Sequence, residues 1–188
     1  MKPVNKAQLL HSLEEKVERH LQEAVRRFQN MSARTLLQPA PDGGWSIAQC
    51  LDHLNSYGNF YLPHIQAGLA KPQPQPAQDT FTSSWFGNYF TRMMDPVTGK
   101  KKYKAFKGHI PPPDLDAHAV VAEFIQQQEA LLSYLKQARN KDLKAIKIPL
   151  SLTKWVQLRL GDVFQFLIAH NERHLVQAKR HLPQEELI

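Results

Sequence analysis

Along the first thirty residues the apolar positions Leu10, Leu13, Val17, Leu21, Ala24 and Phe28 recur three or four apart. That spacing lines one side of a helix and predicts one over about 5–30. Asn5 with Gln8 three residues on has the form of a capping box at its start. A turn-rich stretch over 38–44 (QPAPDGG) then interrupts the pattern. Ser46 follows, able to cap a second helix while Gln49 returns a bond to the Ser46 amide, and Trp45 is placed to staple onto Cys50 one turn in. This helix is predicted to reach about Ala70 with Ile47, Cys50, Leu51, Leu54, Tyr61 and Ile65 inward. Pro63 lies inside it and is expected to kink or break it.

Between about 71 and 113 no periodicity is sustained; Pro72, Pro74 and Pro76 alternate with polar residues and Pro111–Pro113 close the segment. A connection of that length carries function or crosses the body of the fold, and Trp85, Phe86, Tyr89 and Phe90 suggest that part of it folds back. A third helix is predicted from Asp114 or Asp116, burying Val120, Val121, Phe124, Leu131, Leu135 and Ala138. Residues 140–160 are ambiguous: Ile146-Lys147-Ile148 alternates, but Pro149 argues against a central strand. Gly161-Asp162 opens a fourth helix with Val163, Phe166, Leu167, His170, His174, Ala178 and His181 on one stripe, ended by Pro183. Four amphipathic helices with almost no strand signal predict an all-α four-helix bundle, a single domain over 1–188. The long crossover between helices two and three allows those two to run parallel. No internal repeat or coiled-coil heptad run is present.

Composition narrows the function classes. At 188 residues with 42% apolar and 22% charged residues, the chain is globular and buries about two-thirds of its unfolded surface, enough to fold without staples. No apolar run approaches the ~18 residues of a membrane span, so no membrane partner is expected. The polar N-terminus argues against a signal peptide, and Cys50, the single cysteine, rules out an intramolecular disulfide and leaves a reduced cytoplasm as the default. The formal charge of +7 raises the question of anionic partners, although net charge governs solubility first. In the run over 100–107 (KKKYKAFK), lysines interleave with aromatics, a pattern that can follow a phosphate backbone. Such a run is more often a solvated loop, or one that collects an anionic substrate, so a nucleic-acid partner is not expected. Broad apolar faces leave a homodimer open.

The nine histidines carry more information. His170 and His174, four apart, lie about 6 Å apart along a helix axis and on one face, the spacing by which one helix offers two imidazoles to one ion. Both fall on the apolar stripe, where desolvation favours the neutral, metal-binding form. His181 lies about 10 Å further along, outside the same shell. Glu172 is turned off the shared face and HExxH is absent, which argues against a zincin. A third ligand must come from another helix, and His53 is the best candidate; His64 sits about 16 Å beyond it. His20 is the main decoy, and His11, His109 and His118 read as surface or loop residues. A helical histidine pair is more often a polar inclusion than a metal site, so the residues alone leave the two readings near balance.

The segment 45–54 (WSIAQCLDHL) resembles the start of the second helix of the DinB-like (YfiT-like) superfamily, and 161–177 (GDVFQFLIAHNERHLVQ) resembles its last helix. The order, the separation and the four-helix layout agree over most of the chain. The resemblance implies one divalent ion, Zn or Ni, held by His53, His170 and His174, with an open fourth position. It implies a metal-dependent enzyme of the thiol-dependent S-transferase or hydrolase type, acting on a small-molecule substrate that can be a low-molecular-weight thiol. The alternatives are a non-catalytic binding protein of the same fold, or a nucleic-acid binder acting through 100–107. Gln49 stands where many relatives carry Glu. Gln49, Asp52, Asn171 and Gln177 are near enough in sequence to orient ligand rings, and Arg173 could serve an anionic substrate; the catalytic residues remain unassigned.

Overall fold

The computed structural model describes residues 1–41, 43–72, 77–99, 104–180 and 182. Four long helices form the body: α1 (Lys6–Glu23), α3 (Ile47–Ala70), α5 (Ala117–Ala138) and α6 (Leu160–Lys179). Each packs against two others, α1 and α3 both contacting α5 and α6, so α1 stands diagonally across the bundle from α3, and α5 from α6, while α3 and α5 are neighbours. Cross-helix pairs give the directions. Asn55 Nδ2 donates to the Val120 carbonyl and Asn59 Nδ2 to Glu123, so α3 and α5 run parallel. His20 meets Glu172 and Glu23 meets Lys179, so α1 and α6 are parallel too. Tyr61 packs on Phe166 while His53 packs on His174, which makes α3 and α6 antiparallel. The expected parallel second and third long helices are therefore present, and the segment between them spans the length of the bundle.

Caps set the helix starts. The Asn5 side chain accepts from the Gln8 amide at 3.0 Å. At α3 the Ser46 Oγ accepts from the Gln49 amide at 3.1 Å while Gln49 Oε1 accepts from the Ser46 amide at 3.0 Å, closing the box in both directions. Asp116 caps α5. The first helix departs from expectation at its end: a π-turn over Ala24–Phe28 follows α1, with the Gln29 amide bonded to Ala24. A short helix, α2 (Ala33–Leu37), lies beyond it. Pro63 neither breaks nor ends α3, which continues to Ala70.

Two expectations are corrected. The crossover is not irregular throughout, because it holds a helix, α4 (Trp85–Met94), packed on α6. Phe90 and Met94 pack on the core while Trp85, Phe86 and Tyr89 stay exposed, so apolar residues face both ways and blur the period. The ambiguous stretch is a β-hairpin of β3 (Lys147–Leu150) and β4 (Thr153–Arg159), antiparallel with Lys147 opposite Arg159. Each strand of a two-stranded ribbon has an open edge, which is where Pro149 is tolerated. Ile148 and Leu150 face inward. A smaller ribbon pairs β1 (Val4–Asn5) with β2 (Thr80–Phe81) and pins the start of the crossover to the N-terminus. The expected stop at Pro183 lies outside the described residues. Among the described residues no helix is long and apolar enough to cross a membrane.

The core falls into two apolar clusters. One gathers Leu10, Val17, Tyr61, Leu135, Phe164 and their neighbours; the other gathers Phe28, Ile47, Leu51, Phe124, Leu175 and theirs. Between them lies a layer of buried polar side chains drawn from all four helices: His20, His53 and Asn55, Gln127 and Gln128, His170 and Asn171. Gln127 donates to the Asn55 carbonyl and Asn171 to Gln128, pairing amides that would otherwise be costly to bury.

Asp162, fully buried in the first turn of α6, fixes α4. Its carboxylate accepts from the Ser84 hydroxyl at 2.7 Å and from the Ser84 amide, and Ser84 caps α4. A Cβ on Gly87 would come within 2.1 Å of the Asp162 carboxyl carbon. Helix propensity alone gives Gly87→Ala a gain of about 0.5–1 kcal/mol. The expected result is the opposite sign, a loss of about 1–3 kcal/mol from overpacking, read as a lower urea midpoint.

Candidate metal centre

His53 sits at the end of the second turn of α3, two turns past its Ser46 cap, and His170 and His174 in the second half of α6. The crossing of α3 over α6 brings all three imidazoles into the polar layer. Their ring centroids stand 5.0 Å (His53–His170), 4.6 Å (His53–His174) and 4.8 Å (His170–His174) apart. One nitrogen from each ring can be chosen so that the three lie within 4.8 Å of one another. His53 and His170 are buried, and His174 is partly open. Trp45 covers the group from one side, 4.9 Å from His53 and 5.9 Å from His174, while Tyr57 and Phe166 wall His170.

Hydrogen bonding settles one tautomer. His53 Nδ1 lies 2.6 Å from the His109 carbonyl oxygen, and a carbonyl has no proton to give, so Nδ1–H donates and Nε2 carries the lone pair of a neutral ring. That nitrogen faces His170 Nε2 at 3.2 Å. His170 Nδ1 is buried with no hydrogen-bond partner, so nothing ties that ring the other way.

Burial keeps the group uncharged. It pulls the His53 pKa down to about 4, against a smaller raising effect of the His109 carbonyl. It pulls His174 to about 3, helped by the charges of His53 and Arg173 and opposed by the Gln177 side chain. His170 is held well below its ordinary value by burial first and by His174, His53, His109 and Arg173 after it. All three are neutral at pH 7, the form with a lone pair to offer.

The other candidates separate cleanly. His20 Nε2 bonds Glu172 at 2.6 Å, on the far side of α6 from the three rings, and that bond lowers the Glu172 pKa. His64 bonds its own helix at the Phe60 carbonyl, His11 faces Glu15, and His118 is exposed. His181 lies outside the described residues. Gln49 spends its carbonyl oxygen in the capping box, Asn171 turns to Gln128, and Asp52 is half-buried, its carboxyl raised by burial and then by Glu123. Arg173 Nη1 donates to the carbonyls of Met93 and Gly99, so it is engaged by the crossover. Of the lysine run, Lys104 and Lys107 are exposed and 100–103 lie outside the described residues.

Sequence reasoning missed His109. It belongs to a single 3-10 turn, Lys107–His109, packed on α3, and a lone turn leaves no period to detect. The hint lay in its position, just ahead of the Pro111–Pro113 run in a segment too long to be idle.

A family model described as the DinB superfamily matches residues 16–178, a span that includes all three histidines. The fold resembles the solved structure of YfiT from Bacillus subtilis, described as a probable metal-dependent hydrolase with an unusual four-helix bundle topology. The two share 18% identity with a TM-score of 0.52, over 93% of this chain and 86% of that one. No curated protein matches the chain.

Cys50, three residues before His53 on α3, is fully buried in the second apolar cluster, and burial pushes its thiol up to about 12 against the opposing charge of Arg180. Four pH units below that value about one thiol in ten thousand is ionised. Native protein at pH 8 is expected to resist alkylation at Cys50 and to react fully once unfolded in guanidinium, as mass spectrometry would show; rapid labelling of the native protein would contradict the burial.

Proposed function

The chain belongs to the DinB superfamily, and from that premise we propose that His53, His170 and His174 hold one divalent metal ion, Zn or Ni, in a hydrolytic enzyme acting on a small molecule. The observation that carries this reading is the pair of imidazole nitrogens facing each other at 3.2 Å, one of them a lone pair fixed by the His109 carbonyl. Zinc–nitrogen bonds of ~2.0–2.1 Å in a tetrahedral site put ligand nitrogens about 3.4 Å apart, so the spacing suits a shared cation. The donor set suits one as well, because three neutral imidazoles need lose no proton on binding.

Three protein ligands leave one position of a tetrahedral ion open, the pattern of a catalytic rather than a structural site. An ion there supplies Lewis acidity, enough to bring the pKa of water to about 7 or to hold a thiol as thiolate. The chain's own residues do the rest. Trp45, Tyr57 and Phe166 pack on the rings and shield His53 and His170 from bulk water while His174 stays partly open, the His109 carbonyl holds His53 in the productive tautomer, and Arg173 holds the crossover against α6. The description of YfiT as a probable metal-dependent hydrolase favours water over thiol as the activated group. Thiol-dependent S-transfer would use the same open position, with the thiol supplied by a substrate because Cys50 is buried and protonated.

Elemental analysis of untagged protein is expected to find about one divalent ion per chain. His170→Ala should cut that occupancy sharply, and adding Zn at a hundredfold over its Kd should stabilise the native protein by about 2.7 kcal/mol. Full occupancy in the triple His→Ala variant would end the metal reading. Turnover of esters or amides without added thiol, lost on chelation and restored by metal, would mark the hydrolase; turnover that requires a thiol co-substrate would mark the transferase.

A further inference from the structure

One ring of the site is held by a part of the chain that contributes no ligand to it. We infer that the 3-10 turn of the crossover is a latch for His53: Ser56 and Tyr57 seat His109 so that its backbone carbonyl fixes His53 as the Nδ1–H tautomer, with Nε2 toward His170 and His174. The inference rests on the metal reading for its consequence but not for its geometry.

The latch has three connected parts. The Ser56 hydroxyl donates to the His53 carbonyl at 2.7 Å, and its single proton is thereby used. Its contact with His109 Nδ1 at 2.8 Å is then one in which the hydroxyl oxygen accepts, and His109 is itself an Nδ1–H tautomer. The His109 ring is stacked on Tyr57 with centroids 3.8 Å apart and planes 23° from parallel. These two contacts come from consecutive residues of α3, one turn past His53, and hold His109 by its edge and by its face. Its carbonyl then reaches back to His53 Nδ1 at 2.6 Å. Residue 109 is 56 positions from residue 53, so this orientation depends on how the crossover is laid down and not on α3 alone. Within the triad it is the only ring whose tautomer a backbone acceptor sets, since neither His170 Nδ1 nor His174 Nδ1 meets one.

Ligand imidazoles oriented this way are stronger donors, and loss of the orienting partner typically weakens metal binding 10–100-fold. Ser56 and His109 are thus positioning residues: neither is placed at the shared cation.

The test uses full-length protein labelled with 15N-histidine, stripped of metal, and its variants Ser56→Ala, His109→Ala and Ser56→Thr. Long-range proton–nitrogen correlation reads the His53 tautomer directly, and competition with a chromophoric chelator reads Zn affinity. The native protein should show His53 wholly as Nδ1–H. Ser56→Ala and His109→Ala should each show a mixture of tautomers and a 10–100-fold weaker Zn affinity. Ser56→Thr, which keeps the hydroxyl, should restore both, and this rescue separates a latch from general loosening of the fold. Nε2–H at His53 in the native protein, or an unchanged tautomer in both alanine variants, overturns the inference. A native protein with His53 locked as Nδ1–H that takes up no Zn supports the latch and defeats the metal reading alone, so the two failures are distinguishable.

Discussion

The polar layer between the two apolar clusters sets the terms for the whole bundle. Burying an imidazole or an amide without a partner costs on the order of 1–3 kcal/mol, and this layer buries seven such side chains in the middle of the core. Most of the cost is offset locally. Gln127 bonds α3, Asn171 bonds Gln128, His20 bonds Glu172, and His53 bonds the His109 carbonyl. What is left over is spread over three helices: His20 Nδ1 on α1, Asn55 Oδ1 on α3 and the Nδ1 atoms of His170 and His174 on α6 have no partner, and the ring nitrogens of His53 and His170 face each other across 3.2 Å. A well-packed apolar core would fold more cheaply with leucine at those positions. Only at His53, His170 and His174 do ring nitrogens from three side chains come within 4.8 Å of one another among the described residues, and that convergence sets the three apart from the other buried polar groups.

The crossover is what makes this arrangement specific to the fold. Beside the burial of Phe81, Phe90 and Met94, its described residues are tied down by polar and ring contacts: β2 on β1 at the N-terminus, Ser84 on Asp162, Arg173 on the carbonyls of Met93 and Gly99, and His109 on Ser56 and Tyr57. Three of these ties end on α3 or α6, the helices that carry the histidines. Exposed Trp85, Phe86 and Tyr89 on α4 show that the segment is not held by burial alone. Polar bonds of defined geometry add to this apolar packing and register the segment against the site.

Much of this was legible in the chain. The helix starts followed from side-chain caps at Asn5, Ser46 and Asp116, because a cap is a local bond between residues three apart. The inward faces of the long helices followed from their spacing. His53, His170 and His174 were found because two of them share a helix face and the third borders an apolar stripe. The rest was not legible for physical reasons. Helix α4 divides its apolar residues between core and solvent, so its period is not that of a buried stripe. The hairpin at 147–159 is short, and Pro149 in it reads as a strand breaker until the strand is known to be an edge. His109 acts through its backbone carbonyl, and a carbonyl carries no signature in the residue type that bears it. Arg173 and Asn171 read as residues near the site, yet tertiary partners on the crossover and on α5 claim them first.

The order of the long helices has a temporal consequence. The first ring of the triad is made before its partners, which follow only after another 117 residues; α3 and α6 touch, but the crossover and α5 are made between them. Closing a contact of that separation is slow relative to local helix formation. During synthesis His53 therefore remains a solitary imidazole, a poor trap for any ion, until the last helix docks. The three-ring group of the proposed centre is therefore complete only once α6 has docked on α3.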